Sequence, residues 1–478
     1  MLVGPLVAVA LLALGGAAYS GGVEPPVRTF PVGQVVENVQ SDSNPEQRFA
    51  LYLPTGFDPA KPTPVLFIMD PRRRALVPLK LFKPAAERFG YIIVSSYNTA
   101  SDEPAEPSLR ALQAMWTDMH DWFTVDDRRV YLAGFSGTAR MAWLLARHLS
   151  GTFTGVIGAG AGSHPEYPPT KDFKFQYFAT VGTVDYNFYE LQRLEERLAA
   201  VGLFHRIEGF GGPHSWMPEP LATQAIEWME LQGMRTGVRA ADGALVDEWW
   251  RRDEVMAQTW VDMGLPLKAS WRYAAMARDY AGLRETAEVE ARARELGSSP
   301  QAKLELERRQ RAHKLNALWT ERAMMVISEA FDPGAEAPAL SSEELIRELE
   351  VKQLRKTAAS GDPVAAIEAQ QRLNSIEVQL GFYLPREAIS HAEYVRANYY
   401  LDVAVEMDDT SSVSWYLMAV AHARLRDPRE ATEALERAID AGYRNVAEFE
   451  AERAFRNVEK YPAFIAAVER LRTLSAVR

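Results

Sequence analysis

The stretch Val130-Tyr131-Leu132-Ala133-Gly134-Phe135-Ser136-Gly137-Thr138-Ala139-Arg140, running on into MAWLLARHL, decides how the first half of this chain is read. Four apolar residues of strand character meet a tight glycine-flanked turn, and an apolar helical pattern follows at once. Gly134 removes bulk where strand and helix nearly touch, and Ser136 stands at the apex of the turn. Thr138 is the odd member, because a β-branched side chain crowds a position where a second glycine would give more room.

Working outward, short apolar runs recur at strand length. They are Val65–Met69, Tyr91–Val94, Val156–Ile157, Phe175–Val181 and Phe204–Phe210, with helical patterns near 80–89, 108–123, 139–149, 186–202 and 219–234. Runs without polar alternation fit strands buried on both faces, so the alternation predicts an α/β fold with a mostly parallel sheet. Gly33 to Pro54 alternates around the polar turn Ser41–Pro45 and predicts an antiparallel edge hairpin. The Gly-rich run Val156–Gly162 reads as close strand packing beside the serine turn.

Two more loops carry chemistry in the same order along the chain. The run ending at Val181 passes into Gly182-Thr183-Val184-Asp185, and the run ending at Phe210 passes into Gly211-Gly212-Pro213-His214-Ser215-Trp216. Each side chain lies beyond the carboxyl end of a strand, where open α/β sheets place their sites. His205 is a rival base but falls mid-strand, and Asp126 and Asp127 read as a turn.

Strand, serine turn, acid and base in this order resemble the α/β-hydrolase superfamily over residues 28–235, nearest to serine esterases of the polyhydroxybutyrate depolymerase and feruloyl esterase type. The resemblance implies a catalytic Ser136, Asp185 and His214, an acyl-enzyme, and no metal or organic cofactor. It implies oxyanion donors at the N–H of Gly137 and, after the Val65–Met69 strand, at Arg72, since Pro71 has no N–H. The substrate expected is an ester-bearing small molecule or polymer, with two alternatives: a serine peptidase or carbohydrate deacetylase on the same residues, or a non-catalytic hydrolase-like binding protein with helical repeats. Arg73, Tyr186 and Trp216 are candidates for the substrate pocket, although core packing accounts for the aromatics equally well. The run Arg72-Arg73-Arg74 reads first as a solvated charge cluster, and second as a device favouring a carboxylate-bearing or sulfated substrate.

The second half has different physics. Residues 1–235 hold 20 of the 28 prolines and 21 of the 30 glycines, so turns concentrate there and long helices are expected over 236–478. Trp415, Ala419, Ala431, Leu435 and Ala438, with Asp427-Pro428 between them, resemble a tetratricopeptide repeat, clearest over 385–475. Ala397, Leu401 and Ala404 lie 34 residues earlier at matching positions, and a weaker echo starts at Trp271 with Ala275, Ala287, Ala291 and Pro300. That resemblance implies a protein or peptide partner; an ordinary helical bundle is the plain alternative. Pro333 to Ser342 reads as a linker.

A net charge of −11 argues against a general nucleic-acid binder, and the absence of cysteine excludes thiolate metal sites, disulfides and a cysteine nucleophile. The eight histidines show no metal-ligand spacing. The uncharged stretch Leu2–Ala18, followed by small residues, predicts an export signal within 1–20 or an N-terminal anchor, hence a periplasmic or extracellular location.

Overall fold

The computed structural model describes residues 28–100, 105–332 and 334–476, so the expected export signal lies outside the described residues. Among the described residues eight strands form one sheet, in the order β1-β2-β4-β3-β5-β6-β7-β8. They are β1 (Val35–Gln40), β2 (Arg48–Tyr52), β3 (Thr63–Met69), β4 (Ile92–Ser96), β5 (Val125–Phe135), β6 (Gly155–Ala159), β7 (Gln176–Gly182) and β8 (His205–Phe210). β1 and β2 make the antiparallel hairpin, β2 joins β4 antiparallel, and from β4 to β8 all pairing is parallel. This is the α/β-hydrolase fold.

All seven residues of β3 are buried, and its side chains alternate between two cores. Val65, Phe67 and Met69 join one face with α2 (Glu106–Trp122), α3 (Gly137–His148) and α4 (Phe188–Val201). Leu66 and Ile68 join the other with α1 (Leu76–Phe89) and α5 (Glu219–Arg235). Helices on both faces explain why the strands read as unbroken apolar runs.

The chain forms two compact units, residues 1–311 and 312–478. The expected boundary at 235 is therefore corrected, because α6 (Gly243–Asp262), α7 (Pro266–Asp279) and α8 (Ala287–Ser298) belong to the first unit. Leu231 and Met234 of α5 share one core with Trp249, Tyr273, Met276 and Val289. A buried ion network adds to it: Arg206 on β8 bonds Asp253 and Asp279, and Arg272 bonds Glu208 and Asp253. Charges this deep must be paired, which makes these helices an integral cover for the last strand. The repeat echo at Trp271 is not upheld: Trp271, Ala287 and Ala291 are exposed, and the contact between α7 and α8 uses Ala269, Tyr273, Ala293 and Leu296 instead.

α9 (Pro300–Ala330) carries the chain across the boundary. Helices are the regular elements of the second unit's described residues: α10 (Ser342–Glu348), α11 (Val351–Ala358), α12 (Pro363–Val378), α13 (Leu384–Ser390), α14 (Tyr394–Met407), α15 (Ser412–Arg424), α16 (Pro428–Asp440), α17 (Val446–Ala451) and α18 (Pro462–Ala476). α14, α16 and α18 start 34 residues apart, at Tyr394, Pro428 and Pro462. Asp427 caps α16, and Ala397, Leu401, Ala431, Leu435 and Ala438 are fully buried. Trp415 is only partly buried.

Candidate active site

The serine turn is built as its residue types require. Ser136 has φ 54° and ψ −127°, a left-handed backbone that costs a non-glycine residue about 1–3 kcal/mol and persists only when its surroundings hold it. Two constraints hold it. Its N–H donates to Ala159 O at 2.8 Å, and Gly134 lets the helix approach so closely that a Cβ there would sit 2.3 Å from Thr138 O.

Thr138 does not push the helix away. Fully buried, its hydroxyl accepts from the Phe135 N–H at 3.0 Å and lies 2.8 Å from both Met69 O and Phe135 O. The β-branched residue thus pins the start of α3 to the ends of β3 and β5, a role that local sequence pattern does not signal.

The three expected side chains meet. His214 Nε2 lies 2.9 Å from Ser136 Oγ, and Nδ1 lies 2.9 Å from Asp185 Oδ2. A neutral ring with its proton on Nδ1 donates to the carboxylate and accepts the serine O–H on Nε2. Asp185 is buried, and its Oδ1 accepts the Asn187 N–H at 2.8 Å. Asn187 Nδ2 donates in turn to Gly160 O at 2.7 Å, tying the acid loop to the end of β6.

The imidazole packs against Phe135 and Tyr186, with ring centroids 4.6 and 4.3 Å away. Gly160, at φ +65°, faces the ring edge, where a Cβ would come within 3.0 Å of Nδ1. One glycine of the run first read as close strand packing therefore also clears space for the base. His205 takes no part: it is buried on β8 with Nδ1 bonded to Leu203 O.

The oxyanion expectation divides. Gly137, half-buried at the start of α3, has no acceptor for its N–H among the described residues. Arg72 must be corrected, because its N–H donates to Asp70 Oδ1 at 2.8 Å and is consumed inside its own turn. Asp70 is a hub. Its carboxylate also takes the Arg74 guanidinium and the Trp216 indole N–H. Burial alone would raise its pKa, but the bonds and charge of Arg74 and the Trp216 N–H hold it below the ordinary carboxylate range.

Trp216 is accordingly a buried brace against Phe135 and Phe82 rather than a pocket wall. Tyr186 sits on the imidazole. Arg73 is half-buried and left-handed, with φ 60°. A further tie missed in the sequence joins two helices to the loop after β6: Arg140 on α3 pairs with Glu190 on α4 at 2.7 Å, and Glu190 accepts the Gly162 N–H at 3.0 Å. Among the described residues no group of three or more acidic or histidine side chains could hold a metal ion.

No protein-family profile matches the chain, and no curated protein matches it. Solved structures similar to it include S-formylglutathione hydrolase from Staphylococcus aureus, at 12% identity and TM-score 0.34, covering 44% of this chain and 99% of that one. The feruloyl esterase module from Clostridium thermocellum is similar at 13% and 0.34, covering 44% and 93%. Thermogutta terrifontis esterase 2 is similar at 16% and 0.32, covering 44% and 96%. The likeness spans less than half of this chain.

Proposed function

We propose that the protein is an exported serine hydrolase acting on carboxylic esters, with Ser136, His214 and Asp185 as its triad. The observation that carries the reading is the unbroken hydrogen-bond chain from Ser136 Oγ through His214 to Asp185. In the acylation step the Ser136 oxygen attacks the ester carbonyl carbon as its proton passes to His214 Nε2. Asp185 steadies the imidazolium, which returns the proton to the leaving alkoxide as the acyl-enzyme forms. Water then repeats the sequence on the acyl-enzyme and restores the serine. The Gly137 N–H supplies charge stabilisation where the carbonyl oxygen becomes negative. The helical second unit is proposed to be tetratricopeptide-like and to take a peptide or protein partner, which the 34-residue spacing of its helices supports.

A fluorophosphonate probe is expected to label Ser136, and Ser136→Ala to lower turnover of short aryl esters by about a thousandfold or more. Labelling elsewhere, or turnover surviving the substitution, refutes the assignment. The occupied Arg72 N–H favours a second reading, a non-catalytic binding protein on a hydrolase fold. Unlabelled Ser136 and no ester turnover would select it.

A further inference from the structure

The loop Asp70–Arg74 is tied at its start to the candidate site from two sides. Met69 pairs with Gly134 across β3 and β5, and the Thr138 hydroxyl lies 2.8 Å from Met69 O. On the other side, the Trp216 indole, two residues past His214, donates to Asp70 at 2.8 Å. The loop therefore borders both nucleophile and base.

Within it the charges divide unequally. Arg74 is neutralised by the Asp70 carboxylate at 2.9 Å, and the other carboxylates at the site are engaged too: Asp185 with His214, Glu190 with Arg140. Arg73 has no hydrogen bond, ion pair or ring contact through its side chain among the described residues. A chain of net charge −11 thus carries a locally unbalanced cation on the loop that follows β3.

The backbone sharpens the point. Arg73 occupies the left-handed region, φ 60°, where glycine or asparagine would sit at lower cost. The Asp70 carboxylate imposes this turn by taking the N–H groups of Arg72 and Arg74. An arginine kept in an unfavourable conformation, with no partner inside the fold, points to a ligand outside it.

We propose, on the basis of the serine-hydrolase reading, that Arg73 selects ester substrates carrying an anionic group, and that its guanidinium pairs with that group while Ser136 attacks the ester carbonyl. A guanidinium suits a carboxylate or a sulfate, binding their oxygens in pairs. Three substrate pairs separate these sources and the end of the ester that bears the charge. They are 4-nitrophenyl hydrogen glutarate against 4-nitrophenyl pentanoate, 4-acetoxybenzoate against 4-acetoxybenzamide, and 4-acetoxyphenyl sulfate against phenyl acetate.

With the full chain, at least one anionic ester is expected to exceed its neutral partner in kcat/KM by about tenfold or more. That ratio is expected to fall near one in Arg73→Ala, to invert in Arg73→Glu and to persist partly in Arg73→Lys. It should also shrink between about 20 mM and 500 mM salt, as an accessible ion pair would. Using ratios within each variant removes any general loss of activity. Neutral esters turned over with no anionic preference, or a preference unchanged in Arg73→Ala, overturn this proposal and leave the hydrolase reading intact. No ester turnover and no labelling of Ser136 overturns both.

Discussion

Replacing Thr138 by glycine would write the familiar Gly-x-Ser-x-Gly pattern, yet the structure predicts damage. The Thr138 hydroxyl takes the buried Phe135 N–H at 3.0 Å and reaches the carbonyls of Met69 and Phe135 at 2.8 Å. Removing it strands a buried donor and a carbonyl, and stranding costs about 1–3 kcal/mol for a group left unsatisfied, with about 1 kcal/mol more for the bond given up. Thr138→Val, nearly isosteric, is therefore expected to lose roughly 2–4 kcal/mol. Thr138→Gly should lose a few tenths more, because glycine is the poorer helix former. Thr138→Ser keeps the hydroxyl and should remain within about 1 kcal/mol of the parent. Urea denaturation of the full chain, followed by tryptophan fluorescence, measures the series, with labelling of Ser136 as a second readout of turn geometry. A Thr138→Val variant as stable as the parent, or a more stable Thr138→Gly, would refute the reasoning.

Two further outcomes test the first unit. Asp253 is fully buried and bonds Arg206, Arg272 and the Tyr280 hydroxyl, so Asp253→Ala is expected to cost about 3–5 kcal/mol in the same denaturation experiment. A change under 1 kcal/mol, by contrast, would mean that α6 to α8 are not welded to β8 by this network. His205 is pushed down to about 4 by burial and then by the Arg278 charge, so the folded state resists its protonation. Its folded pKa lies below the unfolded value of about 6.5, so stability is full above that pH and falls as pH drops toward 4. His205→Gln should flatten this part of the stability–pH curve, and an unchanged slope would exclude His205 as its source.

How much was legible differs from element to element. The parallel strands were readable because burial on both faces leaves unbroken apolar runs such as Val65–Met69. Ser136, Asp185 and His214 were readable because each follows a strand, where the topology puts loops on one rim. The Arg72 N–H was misjudged because nothing in Asp-Pro-Arg announces that the aspartate will fold back on its own turn. The boundary at 235 failed for a related reason: composition marks where glycine and proline thin out, not which helices bury charges against β8.

By itself, the order of residue types determined which elements form and which side chains end up at the carboxyl rim of the sheet. Periodicity and turn chemistry are local properties, carried by neighbours in the chain. Only the tertiary structure decided that Thr138 pins the turn, that Gly160 clears the imidazole and that Arg74 rather than Arg73 is neutralised by Asp70. Those outcomes depend on distances of about 3 Å between groups that packing, not sequence neighbourhood, brings together.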